Sequence, residues 1–176
     1  VYTVRSDPAF QGILPYEATL EKDVETIQLD AIGILVTSEI PMAYVLQENE
    51  TKESMIIDIE REEDIGRYVV YGKSYTLYQK EPAEGYAQHS PVTFTVEKEN
   101  TDIHFAYVHG YPVTLESEVL AKAIVYKDKD CKEPLINHLG KPMCIMPKDH
   151  VFLPSGTYYY RYEDIDSHYY AIEDVF

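Results

Sequence analysis

Apolar and polar residues alternate along most of this chain. In VTFTVEK, Val92–Lys98, every second side chain is apolar until the final charged pair. A period of two is typical of a strand with one buried face, and Pro and Gly residues divide these runs as turns would. The pattern predicts an all-β protein. The predicted strands are Ala18–Lys22, Gly33–Thr37, Ala43–Gln47, Ser54–Ile59, Arg67–Tyr71, Ser74–Gln79, Val92–Glu97, Ile103–Val108, Val113–Glu116, Lys122–Lys127, His150–Leu153, Thr157–Tyr162 and His168–Ile172.

Two segments of the chain are repeated at nearly the same distance. AYVLQENE at Ala43–Glu50 is echoed 80 residues later by AIVYKDKD at Ala123–Asp130. KSYTLYQ at Lys73–Gln79 is echoed 83 residues later by GTYYYRY at Gly156–Tyr162. Such an echo indicates two tandem copies of one β-domain, although a single larger sandwich remains an alternative. The predicted divisions are a lead segment or the end of a preceding domain at 1–15, a first sandwich at 16–110 and a second at 111–176.

Composition favours the same fold class and excludes some partners. The chain has 17 tyrosines and no tryptophan, and tyrosine suits half-buried, pleated surfaces. A net charge of −16 argues against nucleic acid and against an anionic membrane surface. The longest apolar run, Ala31–Val36, is strand-sized and far shorter than a membrane helix. No basic-then-apolar leader follows Val1, so we expect any signal peptide to be removed or to lie outside this sequence.

The stretch YTLYQKEPAEGY, Tyr75–Tyr86, resembles the signature of the collagen-adhesin B-type (Cna-B) repeat, also called the SpaA-like or prealbumin-like domain. Members of that family carry a YTLxE strand, a loop close to AP-x-GY and a strand such as PVTFTV, here Pro91–Val96. Ala123–Ile136 and Gly156–Asp164 resemble the matching parts of a second repeat. The resemblance implies tandem transthyretin-like (Ig-like) β-sandwiches, which serve as stalk and backbone modules of adhesins and pilins on Gram-positive cell surfaces.

The same resemblance implies positions for a covalent cross-link. Many family members join a lysine on the first strand to an asparagine on the last, assisted by the buried acid of the YTLxE strand. This chemistry requires a neutral amine, a protonated acid and a dry site. In the first copy Lys22 matches the lysine, Gln79 the acid and His109 the asparagine; in the second, Ser117 matches the lysine and Tyr162 the acid. Neither copy has the full set, so we expect no isopeptide bond.

Other residues could supply the missing acid or form a disulfide that stabilises the fold. Glu81 or Glu84, in the loop after the YTLxE-like strand, could replace the missing acid. Cys131 and Cys144 are too few for a disulfide scaffold, and they form either one bridge or two separate thiols. A bridge closing a loop of this size would contribute about 3 kcal/mol in the chain-entropy description.

No catalytic, cofactor or metal motif is recognisable. Asp128–Glu133 begins like a calcium loop, but Glu133 stands where that loop requires glycine. The histidines show no HExxH spacing, and no serine lies in a GxSxG elbow. We therefore expect a protein that is not an enzyme and that has no cofactor.

The resemblance implies an extracellular structural stalk or backbone module on the surface or wall of a Gram-positive cell. Its partners would be neighbouring domains of a larger surface protein, with no contact to nucleic acid or to a membrane. The alternative is a module that binds a host protein or glycan through a tyrosine-rich sheet surface such as Tyr158–Tyr162. An accessory domain of a secreted enzyme is a more distant interpretation.

Overall fold

The computed structural model describes residues 2–4, 16–18, 31–59, 65–97, 101–118 and 121–165. All regular elements in these ranges are β-strands, so the predicted all-β fold is confirmed. None of the described residues forms a helix long and apolar enough to cross a membrane. The strands are β1 (Tyr2–Val4), β2 (Tyr16–Ala18), β3 (Ala31–Ser38), β4 (Met42–Glu48), β5 (Ser54–Ile59), β6 (Ile65–Val70), β7 (Ser74–Gln79), β8 (Val92–Thr95), β9 (Thr101–Phe105), β10 (Tyr111–Thr114), β11 (Ala121–Tyr126), β12 (Cys144–Ile145), β13 (His150–Leu153) and β14 (Tyr159–Asp164).

The strand predictions agree best where alternation is regular. Strands β5, β7 and β13 have the predicted bounds residue for residue. Strand β12 was not predicted, because two residues are too few to show a period. The predicted strand His168–Ile172 lies outside the described residues, as do residues 19–22 of the predicted strand Ala18–Lys22.

The chain divides into two compact units. Unit 1 comprises Val1–Lys80 and Val92–Ala106, and unit 2 comprises Glu81–Pro91 and Tyr107–Phe176. The loop that follows β7 therefore groups with unit 2, although it lies within the first predicted sandwich in sequence. The predicted domain bounds, 16–110 and 111–176, stay a prediction.

Unit 1 is built from two facing sheets. One has the order β6-β3-β9, with β3 antiparallel to β6 and parallel to β9, and the other has the order β5-β4-β7-β8. Tyr44 of β4 stacks on Phe105 of β9 with ring centroids 4.4 Å apart, so the sheets pack face to face. Alternate residues of β4 and β7 are buried between them. In the same unit, β1 pairs with β2 as a separate antiparallel ribbon.

Unit 2 repeats this architecture with fewer described strands. Strand β10 pairs with β13, and a second sheet has the order β12-β11-β14. Buried residues of both sheets form one hydrophobic cluster, which makes this unit a sandwich as well. The cluster comprises Leu115, Ala123, Val125, Met143, Ile145, Val151 and Leu153.

Gly110 lets β10 begin close to its partner strand. A Cβ atom added at Gly110 would lie 2.8 Å from the Cβ of Phe152 on β13, closer than real side chains approach. The N–H of Gly110 donates to the carbonyl of Gly85, whose positive φ of 80° is readily reached only by glycine. The glycines of the HGYP and AEGY motifs thus hold two segments of unit 2 together.

The strand registers show which residues of the two sandwiches correspond. Tyr44 lies opposite Gln79 on β4 and β7, and Ala123 lies opposite Tyr162 on β11 and β14. All four side chains face a core, so Gln79 corresponds to Tyr162 as the sequence echo predicted. Ala123, however, corresponds to Tyr44 and not to Ala43, because a shift of one residue turns a strand side chain to the opposite face. The sequence echo, spaced at 80 residues, is therefore offset by one residue from the positions that correspond in the two structures.

Candidate functional site

Gln79 is the most deeply buried of those predicted cross-link positions that the structure describes. It ends β7, and its side chain has no solvent exposure. Tyr44, its cross-strand neighbour on β4, is equally buried. Neighbours of this kind on one face bring their Cβ atoms within about 5.5 Å. Gln79, which the resemblance matches to the acid, is thus an interior residue, and its amide has no carboxyl proton to offer.

Ser38 contacts Tyr44 and was not predicted as part of the site. The hydroxyl of Tyr44 donates to Ser38 Oγ at 3.1 Å, and Ser38 Oγ donates to the carbonyl of Ile40 at 2.7 Å. Ser38 is 1% exposed and ends β3, the strand that runs parallel to β9. In the register of that pair Ser38 lies opposite Phe105, whose ring covers Tyr44.

The cluster of Ser38, Tyr44, Gln79 and Phe105 can form hydrogen bonds and exclude water. These four side chains include no amine and no carboxylic acid. Buried polar groups of this kind stabilise a fold when they are paired, and they make a mismatched substitution costly. The cluster itself therefore offers packing and hydrogen bonding, and it lacks the amine and the carboxylic acid that formation of an isopeptide bond requires.

None of the other positions predicted for the first copy is among the described residues of this cluster. Lys22 is outside the described residues. His109 belongs to unit 2, where it forms an isolated bridge with Tyr86 and its ring stacks on Tyr86 with centroids 4.6 Å apart. Glu81 and Glu84 are exposed residues of the loop that groups with unit 2. The signal that would have found Ser38 is the Ser-Glu pair, which precedes β4 and recurs at Ser117 before β11.

The second copy has a looser arrangement at the corresponding positions. Ser117 corresponds to Ser38 and lies half-buried after β10, where it makes polar contacts. Tyr162 packs against the core of unit 2, and its ring meets that of Tyr160 edge to face at 5.2 Å. Glu163, the next residue, points to the opposite face and pairs with Lys122 at 3.2 Å. The tyrosine ring therefore replaces the acid, and the neighbouring carboxylate faces away from the core.

A carboxylate closes the turn after β4 in unit 1 and the turn after β11 in unit 2. In unit 1, Glu48 Oε1 accepts the N–H of Glu50 at 3.0 Å and Glu48 Oε2 accepts that of Thr51 at 2.6 Å. Burial raises the pKa of Glu48, but hydrogen bonds from Thr51 and Glu50 and the charge of Lys73 outweigh it, so the pKa lies below 4.5. Glu48 is therefore a structural anion within the sandwich.

Asp128 has the corresponding role in unit 2. Its Oδ1 accepts the N–H of Glu133 at 2.7 Å and that of Lys132 at 3.0 Å. The hydrogen bond from Glu133 is the main cause that holds the pKa of Asp128 below 3.8. The carboxylate is thus occupied by backbone donors, as a turn requires. Within the described ranges, no three His, Cys, Asp or Glu side chains are grouped as metal ligands.

Cys131 and Cys144 are free thiols at different places in unit 2. Cys144 lies opposite Ile124 in the pairing of β12 with β11. Cys131 lies in the turn beyond Tyr126, with a positive φ of 52°. Because a strand rises about 3.3 Å per residue, that turn is about 10 Å along β11 from Cys144. A bond between the two sulfur atoms would require the turn to move, and the bridge stays a prediction.

Comparisons with known proteins give one structural likeness. No protein-family model matches the chain. No curated protein matches it either. The chain is similar to a solved structure described as a streptococcal ancillary pilin, with 14% sequence identity and a TM-score of 0.39, over 99% of this chain and 71% of that one. The fold described above rests on the strands and registers of this chain alone.

Proposed function

We propose that this chain is a structural stalk or backbone module of an extracellular cell-surface adhesin or pilus-like protein. The observation that carries the proposal is the pair of sandwiches with corresponding registers, Tyr44 opposite Gln79 and Ala123 opposite Tyr162. Repeated modules with buried apolar faces suit a load-carrying role, since each sandwich contains its own core. The motif at Tyr75–Tyr86, which resembles the adhesin repeat, supports the same role.

The proposal includes the absence of the Lys–Asn isopeptide bond. In its place, unit 1 has the hydrogen bond from Tyr44 to Ser38, with Phe105 stacked on Tyr44 and Gln79 opposite Tyr44 on the neighbouring strand. Unit 2 has Ser117 and Tyr162 at the corresponding positions. Noncovalent cores of this kind give modules that can unfold and extend under load. The proposed module is not an enzyme.

Single-molecule force spectroscopy on the full chain, placed between marker domains, tests the mechanical role. We expect unfolding events whose contour-length gains include strands β3 to β9 of unit 1, because no covalent bond would hold the first and last strands together. Contour-length gains that are too short to include strands β3 to β9 would show a cross-link and contradict this part of the proposal. Unfolding at forces no higher than those of a globular domain without mechanical function would contradict the stalk role.

The binding alternative has less support from the geometry of β14. Tyr160 and Tyr162 pack against the core of unit 2 and contribute to the stability of the sandwich. Arg161 lies 5.8 Å above the ring of Tyr126, a contact within the same unit. The tyrosines of this strand therefore serve the packing of the sandwich more than the recognition of a ligand. Binding of the full chain to an extracellular-matrix or glycan array, lost on substitution of exposed Tyr111, would favour the alternative.

A further inference from the structure

The segment between β7 and β8 belongs to one unit by sequence and to the other by structure. Strand β7 ends at Gln79 and β8 begins at Val92, and the two strands pair antiparallel in unit 1. Residues 81–91, which we call the strap, nevertheless group with unit 2. Adjacent antiparallel strands are most often joined by about two to five residues. The strap is therefore longer than the connection between β7 and β8 requires.

Two backbone hydrogen bonds hold the strap beside the residues that precede β10. The N–H of Gly110 donates to the carbonyl of Gly85, and the N–H of Ala87 donates to the carbonyl of Val108, both at 2.9 Å. One donor lies on the strap and the other on the facing segment, as in a pair of antiparallel strands. The strap is thus attached to unit 2 through its main chain.

Tyr86 anchors the middle of the strap. It forms an antiparallel bridge with His109, and its ring stacks on the ring of His109 with centroids 4.6 Å apart. The same ring meets Tyr107 edge to face at 5.7 Å. His89, also on the strap, meets Tyr107 edge to face at 4.7 Å. Ring pairs with these geometries stabilise beyond the area that they bury, so the strap is attached by side chains as well.

Gln88 fixes the register of the strap. Its Oε1 accepts the backbone N–H of His138 at 3.2 Å and lies 2.9 Å from Nδ1 of the same histidine. A shift of the strap by one residue would remove both contacts, because neither neighbour of Gln88 carries an amide oxygen on its side chain. Near the end of the strap, a Cβ atom added at Gly140 would lie 3.5 Å from Cγ of Pro91. The strap is therefore in contact with unit 2 along most of its length.

We propose that residues 107–110 and His138 form a peptide-recognition surface of unit 2, and that its ligand is the strap of the same chain. Unit 2 then takes part of its stability from residues that lie between two strands of unit 1 in the sequence. An extended segment held by its main chain, one aromatic anchor and one amide is a usual form of peptide recognition. The proposal depends on the contacts within unit 2 and not on the stalk role.

The covalent connection favours the strap over any free peptide. A segment tethered by a short linker has an effective concentration of about millimolar at its site. Contacts that would be weak between separate molecules are therefore made within one chain. It follows that the wild type should bind a free strap peptide poorly, and that a chain with a weakened strap should bind it better.

Gly85→Ala and Gly72→Ala form a matched pair that tests where the strap contributes stability. Gly85 lies in the strap and Gly72 precedes β7 in unit 1, with φ of 80° and 77°. An added Cβ would meet no described atom within 4 Å at either glycine, so alanine strains the backbone without overlap. By urea unfolding with hydrogen exchange, we expect Gly85→Ala to lower the midpoint of unit 2 alone, by about 0.5 M, and Gly72→Ala that of unit 1 alone. An unchanged midpoint of unit 2, or a lower midpoint of unit 1, in Gly85→Ala would overturn the proposal.

A labelled peptide EPAEGYAQHSP, residues 81–91, tests recognition itself. In fluorescence anisotropy we expect the full-length Tyr86→Ala variant to bind it at least about tenfold more tightly than the wild type, whose own strap occupies the surface. The control peptide EPAEGAAQHSP lacks the tyrosine and should bind that variant at least about tenfold more weakly than EPAEGYAQHSP. Equal affinity of the wild type and the variant, or no binding to either, contradicts the recognition surface.

Two further measurements keep the outcome decisive. If Tyr86→Ala alters the circular dichroism spectrum, Gln88→Ala takes its place, because it removes only the amide contact with His138 and should still bind the peptide more tightly than the wild type does. If the strap of a second copy occupies the surface, sedimentation will show a dimer of the wild type that Gly85→Ala converts to a monomer. A dimer of that kind overturns the assignment to the same chain, and we expect a monomer.

Discussion

Replacing Glu48 by glutamine tests whether a buried anion stabilises unit 1. Glu48 is 4% exposed, and each of its carboxylate oxygens accepts one backbone N–H, from Glu50 and Thr51. Glutamine keeps one acceptor oxygen but presents an NH₂ group where the second N–H donor points. Hydrogen bonds to charged groups contribute about 1.5–3 kcal/mol each. We expect Glu48→Gln to lower the free energy of unfolding of unit 1 by about that amount.

The pH dependence gives a second, independent readout. The pKa of Glu48 is lower in the folded protein than its ordinary value of 4.5. Its stabilisation is therefore fully present above pH 4.5 and is lost as the pH falls towards the folded-state pKa. The wild type should lose stability in that acid window, and Glu48→Gln should lose less. Glu97→Gln, at an exposed position of the same unit, is the matched control.

Urea unfolding of the full chain, followed by circular dichroism and by hydrogen exchange of β4 and β5, measures both effects. With a urea dependence of about 1–3 kcal/mol per molar, the midpoint of unit 1 should fall by about 1 M at pH 7. Hydrogen exchange separates unit 1 from unit 2, which should keep its midpoint. An unchanged midpoint for Glu48→Gln, or a pH dependence equal to that of Glu97→Gln, would refute the role of the carboxylate.

Three further predictions concern the cores and the cross-link. Phe105→Ala should destabilise unit 1 by about 3–5 kcal/mol in urea unfolding, and a loss below that of Phe105→Leu would contradict the stacking with Tyr44. Gly110→Ala should lower the melting temperature of unit 2, because its Cβ would meet Phe152 at 2.8 Å; an unchanged melting temperature would refute the close approach. Intact mass under reducing conditions should equal the sequence mass, and loss of one ammonia would disprove the absence of the isopeptide bond.

The alternation of apolar and polar residues was sufficient to predict the fold class and most strands. In β7, Tyr75, Leu77 and Gln79 form the buried set that a period of two indicates. The resemblance of its motif to YTLxE also matched Gln79 to the position of the acid. The local sequence pattern determines these features, because alternation within a single strand fixes which of its side chains share a face.

The tertiary structure decided which residues surround Tyr44, the cross-strand neighbour of Gln79. The parallel pairing of β3 with β9 brings Ser38 opposite Phe105, and the facing sheet brings Tyr44 to Ser38. A strand pattern shows which residues share a face but not which distant strand pairs with it or in which register. For that reason Ser38 was not predicted as part of the site.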